Sequence, residues 1–540
     1  MGTPPAGASP ADWPLTAAVL RPLRQHGDVL KNASSLLATT GVTSAMGFAY
    51  WTIAARMFSQ RAVGYGSATI SAVTLLATVG MFGLGTLLIG ELPRRTRRGG
   101  LVAAALIASG LGSLVLGLGF AVTAPMLSSR FAAITGTPLR ALLVTFAVVL
   151  MAVGMVFDQA TIGVLRGGVQ LFRNLVFSVI KLLLLPVTAF VMHNQFGAGI
   201  VASWAVGMLV SLAAAAFALR RTGAAVLYRP DWRVLRALGR TTFAHNWLNL
   251  AIAVPYSLIP VLVTVVVSPT ANAAFYAAWM LASFVYIIPQ HLSTVLFAVA
   301  SADPQVIARK LRFTIKVALL VGLPASAVLG LGARHALSLF GPGYARLATF
   351  PLELLALGYL PSIPKVYYIA VCRAIGKINR AALVLTSFAV AEVAMAAVAG
   401  YLGGLVGISV ALLGVAVVEG IVTTPTVAKA AVGRGRHRPA AGTGRHRRAA
   451  ANGEAASGPA SARPRAVAVR AMTSNEHEYA YRSRRAQQEA GLAVLLSLAT
   501  TIGPDHSIPG LPNTAPQAML REPLPYPVNW SGTSHEAVEA

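Results

Sequence analysis

Six ionisable residues interrupt long apolar stretches of this chain: the acids Asp158, Glu353, Glu392 and Glu419 and the bases Lys181 and Lys365. A charged side chain at the centre of a bilayer costs about 2.5–3.5 kcal/mol on insertion scales, so each must face protein or water. Together they describe a hydrated central cavity whose cations hold an anionic substrate, with carboxylates available for protonation. The alternative is pairing inside one half of the molecule, for instance Asp158 with Lys181, which would fix helix packing and nothing more. The run TTFAHNWLNLAIAVPYSLIP adds His245, Asn246 and Asn249 on one polar flank, followed by Pro255 and Pro260, which remove backbone hydrogen bonds. It reads as a gate or, equally, as a kinked helix with a satisfied core histidine. Pro351, Pro361 and Pro364 predict a similarly broken helix around Glu353 and Lys365.

The elements that must position these groups follow from composition. The 540 residues are 56% hydrophobic and 11% charged, and the mean hydropathy is +0.66. A soluble globular chain carries about 25% charged residues, so this one is suited to lipid and a soluble multidomain enzyme is excluded. The single cysteine, Cys372, excludes a disulfide scaffold. Apolar runs of about twenty residues, the length of a membrane-crossing helix, occur near 35–56, 66–90, 101–126, 140–165, 173–192 and 197–219. Six more lie near 242–267, 272–298, 314–339, 348–371, 381–401 and 405–428. All are expected to be helices, because an open strand edge cannot satisfy its backbone in hydrocarbon. The expected fold is therefore all-α: a polytopic membrane protein of twelve transmembrane helices.

A net charge of +27 invites a nucleic-acid partner, but the charges cluster in alternate short loops and form no basic stripe. Arg94, Arg95, Arg97 and Arg98 form one cluster; Arg309, Lys310, Arg312 and Lys316 form another. The intervening loops carry isolated arginines such as Arg130 and Arg334. That bias supports the span count and places both termini in the cytoplasm.

The chain accordingly divides into a cytoplasmic segment (1–32), a six-helix lobe (33–220), a linker (221–240), a second six-helix lobe (241–430) and a basic cytoplasmic tail (431–540). The tail is rich in Ala, Gly, Pro and Arg, cannot bury a core and reads as disordered. Its apolar stretch 490–502 is too short to span comfortably and reads as an interfacial helix. Between spans one and two, SQRAVGYGSA aligns at a constant offset with SPTANAAFYA between spans seven and eight. Ser59, Ala62 and Ala68 match Ser268, Ala271 and Ala277, which points to a six-plus-six repeat. The short outer loops disfavour an enzyme that polymerises sugars outside the cell. No Walker loop, HExxH, CxxC or nucleophile elbow is present, so no enzyme activity, cofactor or metal is expected.

The run YWTIAARMFSQRAVGYGSATISAVTLLATVGMFGLGTLLIGELPRR (50–95) resembles the opening of polysaccharide flippases of the multidrug/oligosaccharidyl-lipid/polysaccharide (MOP) exporter superfamily, of the actinobacterial lipopolysaccharide-biosynthesis type. LFGPGYA (339–345) is similar to that family's Phe-Gly-x-x-Tyr loop, and AIGKINRAALVLTSFAVAEVAM (374–395) to its Ala-x-Gly-Lys turn. YLGGLVGISVALLG (401–414) resembles its Gly-Leu-x-Gly-x-x-x-Ala lead into span twelve. The resemblance covers about residues 33–430. It implies two lobes rocking around a cavity, moving an oligosaccharide on a polyprenyl (di)phosphate across the plasma membrane, with a polymerase and glycosyltransferases as partners and membrane lipid around it. Related lipid II flippases line that cavity with arginines from helices one, two and eight. Here Arg56 and Arg61 lie near the first joint, but the eighth span offers no basic residue. Arg56, Lys181, Lys365, His245 and Asn249 are the expected substrate contacts, and Asp158, Glu353, Glu392 and Glu419 the expected coupling or polar-cavity groups. A cation-coupled multidrug exporter of the same superfamily is the nearest alternative, and a sealed, non-transporting membrane scaffold the second.

Overall fold

The structure is a computed structural model that describes residues 27–95, 98–164, 166–192, 196–221, 228–302 and 307–432. The basic tail, the apolar stretch 490–502 and most of the N-terminal segment lie outside the described residues. Helices α1 (Gly27–Met57), α2 (Gln60–Gly80), α3 (Leu84–Glu91), α4 (Gly99–Leu127), α5 (Ser129–Thr135), α6 (Pro138–Gly163), α7 (Gly167–Met192) and α8 (Ala198–Arg221) pack among themselves. So do α9 (Trp232–Val266), α10 (Pro269–Ala302), α11 (Ile307–Val317), α12 (Leu323–Leu331), α13 (Ala333–Ser338), α14 (Pro342–Leu357), α15 (Tyr359–Ala374) and α16 (Ile378–Ala431).

No strand occurs among the described residues, and the expected apolar runs fall on helices, some of them broken by a turn. Among the described residues nine helices are long and apolar enough to cross a membrane, with Ile307–Leu331 (α11 running through a π turn into α12) counted as one, or ten when α14 and α15, bent by 48°, are taken as one. The 54 residues of α16 are too many for one crossing: at 1.5 Å per residue they would reach about 80 Å. The helix breaks at Gly403 and Gly404, where Gly404 takes φ 57°. A Cβ at Gly407 would collide with the carbonyl oxygen of Ala399, eight residues earlier, so the chain doubles back here. Only glycine adopts that φ without strain, which is why a Gly-Gly pair separates the eleventh and twelfth runs.

The second run also breaks, at Met81–Gly83, where Phe82 (φ 49°) and Gly83 (φ 73°) separate α2 from α3. Pro255 and Pro260, by contrast, are absorbed within α9, and Pro351 and Pro364 within α14 and α15; the tenth run turns at Gly358 instead. The bend there is packed by Tyr286, whose hydroxyl donates to the Leu355 carbonyl at 2.8 Å.

Side-chain placement is that of a protein solvated by lipid. Large apolar groups such as Phe190 (86% exposed) and Leu331 (90%) point outward, whereas Ser67, Ser109, Ser203 and Ser211 are buried at helix contacts. Small residues let helix backbones approach where lipid supplies no hydrophobic drive between helices.

Candidate functional site

The two matched sequences at the joints perform the same local task. Ser59 caps α2 by accepting from the Ala62 amide at 3.2 Å; Ser268 accepts from the Ala271 amide at 3.0 Å at the start of α10. A serine whose side chain satisfies an otherwise orphaned N–H at a helix start explains why serine and alanine recur at that spacing.

The two joints also touch, and they close the halves against each other on this face. Asn272 Nδ2 donates to the Gly64 carbonyl (2.9 Å) and to Ser67 Oγ (3.0 Å), and Gln60 donates to the Thr270 carbonyl (3.2 Å). Gly64 lies so near Pro269 that an added Cβ would overlap its carbonyl. Two arginines add longer-range clasps. Arg130, on α5, donates through Nη1 to the carbonyls of Thr264, Val265 and Val267 at 3.1, 2.6 and 3.0 Å, where α9 ends. Arg56, at the end of α1, donates to the carbonyls of Leu339 (2.9 Å) and Ser338 (3.3 Å) at the C-terminal end of α13. A cation on the exposed C-terminal carbonyls of a helix satisfies both their hydrogen bonding and the helix dipole.

On the opposite side, between α3 and α9, the halves are linked more sparsely. Asn249 Nδ2 donates to Thr86 Oγ1 (3.2 Å) while its Oδ1 accepts from Arg373 (3.3 Å), and Asn246 packs on Gly83. His245 belongs to α9, but its side chain lies outside the described residues.

Charged residues in the apolar layer are brought together within halves. Asp158 on α6 is held in a forked pair by Arg173 on α7, Nε to Oδ1 at 2.7 Å and Nη2 to Oδ2 at 2.5 Å. Its partner is thus Arg173 rather than Lys181. In the second half, Lys365 Nζ on α15 meets Glu419 Oε2 on α16 at 2.8 Å, while Glu419 Oε1 is buried without a hydrogen-bond partner among the described residues. Glu392 is half-buried on α16, and Glu353 half-buried on α14. No group of three or more His, Cys, Asp or Glu is placed to hold a metal ion among the described residues.

Lys181 has neither a salt bridge nor an ordinary hydrogen bond among the described residues. It is 5% exposed, and its Nζ sits over three rings: Trp204 at 4.5 Å, Phe177 at 4.6 Å and Tyr50 at 5.1 Å from the ring centroids. Gly207 makes the room, since a Cβ there would press on the Lys181 backbone and Phe177. Arg130, Asn272 and Arg173 were not legible as site residues. The one available signal was periodicity: Arg173 and Lys181, eight apart, fall on the same face of one helix.

Replacing Arg130 by alanine should loosen the joint face. Hydrogen bonds to a charged donor are worth about 1.5–3 kcal/mol, so the open population should rise about tenfold or more. An Ala271→Cys variant in a Cys372→Ser background reports this, because Ala271 is 7% exposed at the joint. A membrane-impermeant maleimide should label it faster when Arg130 is absent; an unchanged rate would remove Arg130 from the seal.

No protein-family model matches this chain, and no curated protein matches it in sequence. Solved structures do match. The chain is similar to a multidrug resistance MATE family transporter of the MOP superfamily in an inward-facing conformation (TM-score 0.53, 18% identity, covering 70% of this chain and 94% of that one). It is similar to a MOP superfamily transporter from Pyrococcus furiosus (0.51, 16%, 74% and 96%). It is also similar to the lipid II flippase MurJ in an inward closed conformation (0.56, 12%, 73% and 89%). At these identities the likeness is one of fold: this chain is an all-α polytopic membrane protein with the MOP-type architecture.

Proposed function

We propose that this chain of MOP-type fold is a flippase that moves a polyprenyl-phosphate-linked oligosaccharide across the plasma membrane by alternating access, in the polysaccharide branch of the superfamily. The observation that carries the substrate class is charge balance. Asp158 and Glu419 are each already matched by a base, Arg173 and Lys365, and the remaining acids Glu353 and Glu392 are only half-buried, whereas Lys181 is a buried cation without a matching acid among the described residues. An organic cation would find those two carboxylates occupied. A phosphate would find an ammonium unengaged by any anion.

The joint face supports the alternating-access part. It is held by hydrogen bonds and tight packing on one side of the halves, the form a closed gate takes in a protein that opens alternately. The loop-charge bias supports an outer position for that face, and on this reading the state is closed to the outside. The work of such a carrier is solvent substitution: phosphate and hydroxyl groups that hydrocarbon excludes exchange water for fixed polar groups. Glycosyltransferases that build the lipid-linked saccharide and a polymerase that consumes it are the expected partners.

Deleting the protein tests the proposal. Lipid-linked saccharide should accumulate on the inner leaflet, and restoring the full chain should clear it. An unchanged lipid-linked pool together with lost resistance to a cationic drug would favour the exporter alternative.

A further inference from the structure

We propose that Lys181 and Trp204 form a covered anion-binding pair for the phosphate of the lipid-linked substrate, and that Tyr50 on α1 is its cover, removed when the joint face opens. This rests on the flippase reading and adds to it which state of the protein binds the phosphate.

The first observation is an excess of donors. The Lys181 ammonium carries three N–H groups and finds rings rather than acceptors. The indole Nε1–H of Trp204 is likewise buried and makes no hydrogen bond of ordinary geometry among the described residues; its polar neighbour is the Tyr50 hydroxyl. That hydroxyl is already engaged, 2.7 Å from Ser203 Oγ and 3.2 Å from the Ile200 carbonyl. Two neighbouring donors from α7 and α8 are thus left without a well-formed hydrogen bond among the described residues, in a setting where an unmade hydrogen bond is costly. The ring faces stabilise the ammonium by cation–π attraction, which holds it in place without neutralising it. The missing complement is an acceptor-only anion, and a phosphate monoester or diester is such a group.

The second observation ties this pair to the contact between halves. Tyr50 packs edge-on against Trp51 (5.5 Å between centroids), and Trp51 in turn meets Tyr276 of α10 at 4.7 Å. Tyr50 and Trp51 are buried in the same cluster as Ala271, Ala274 and Phe275 of the facing half. Parting the joints breaks the Trp51–Tyr276 contact that backs Tyr50 from the facing half, so the Tyr50 ring can swing off Lys181 while α1 itself stays packed on α7. Phe177, Lys181 and Trp204 stay on α7 and α8, which remain packed on each other.

A ligand moves a two-state protein only through its differential affinity for the two states. A cation covered in the sealed state and uncovered in the open one supplies that difference. Phosphate binding therefore favours the open state, and release lets the rings close over the ammonium again.

The test uses the full chain in phosphatidylcholine vesicles containing either a long-chain polyprenyl phosphate or the uncharged polyprenol of equal length. Tryptophan emission of the wild type, minus that of Trp204→Phe, should change with the phosphate and not with the alcohol. Lys181→Met keeps the volume and removes the charge; it should weaken phosphate binding about tenfold or more and abolish the Trp204 signal. Lys181→Arg should restore part of both. Because Lys181→Met removes a lone buried charge, it should melt no lower than the wild type, so loss of binding is distinguishable from misfolding. If the wild type binds polyprenol as well as polyprenyl phosphate, the flippase reading itself fails. If the wild type prefers the phosphate but Lys181→Met retains that preference and the Trp204 signal, the covered-pair proposal alone is overturned.

Discussion

Gly64→Ala should trap the protein with its joint face open and abolish transport. A methyl group at this position would overlap the Pro269 carbonyl, which is backbone and cannot rotate away. The same contact carries the Asn272-to-Gly64 hydrogen bond and stands beside the Gln60-to-Thr270 bond, so displacing it strains both. Overpacking costs about 1–3 kcal/mol, here levied on the sealed state alone, which lowers the sealed-to-open ratio about 5- to 150-fold. Cysteine labelling at position 271 should rise to a rate that no further substitution at Arg130 increases much. Normal clearance of lipid-linked saccharide by Gly64→Ala would show that sealing this face is no step of the cycle.

Lys365→Met should be the most destabilising of the charge substitutions in the second half. It leaves Glu419, 2% exposed, with a carboxylate already lacking a partner at Oε1 and now lacking one at Oε2. Removing one member of a buried pair costs about 3–5 kcal/mol, whereas replacing both members by well-packed neutral groups is often nearly neutral. The melting temperature in detergent should therefore fall by several degrees for Lys365→Met and recover in the Lys365→Met, Glu419→Gln double variant. If both variants melt alike at the lower temperature, Lys365 contributes packing by its stem rather than charge. If the double variant is stable yet transports nothing, the pair acts in coupling, beyond holding α15 to α16.

Several features of this fold were legible because they depend on local chemistry. The apolar runs became helices since hydrocarbon leaves an unpaired backbone no other solution, and the two Ser-x-x-Ala joints announced themselves because each serine caps its own helix. Other features were hidden by the same logic. The proline-rich runs did not break at their prolines: α9 absorbs Pro255 and Pro260, while the tenth run bends at Gly358 beside Tyr286. Helix-breaking residues in a membrane are tolerated wherever neighbours re-satisfy the freed carbonyls, and that is a property of neighbours.

The site residues divide along the same line. That Asp158, Lys181, Lys365 and Glu419 would need partners or water followed from residue type and depth. Which partners they took did not: Asp158 chose Arg173, fifteen residues away, over Lys181, because the Arg173 fork reaches both carboxylate oxygens while rings surround Lys181. Arg130 looked like an isolated loop charge and Arg56 like a substrate contact, yet each ends on helix carbonyls well over a hundred residues distant.

The amino-acid sequence by itself determined a helical, lipid-solvated chain with repeated joints, because solvation and capping act over one or a few turns. Tertiary structure alone decided that the joints meet, which charges cancel, and that one ammonium is left among rings. Those outcomes depend on which helix faces come within a few ångströms of each other, a distance that no stretch of sequence specifies on its own.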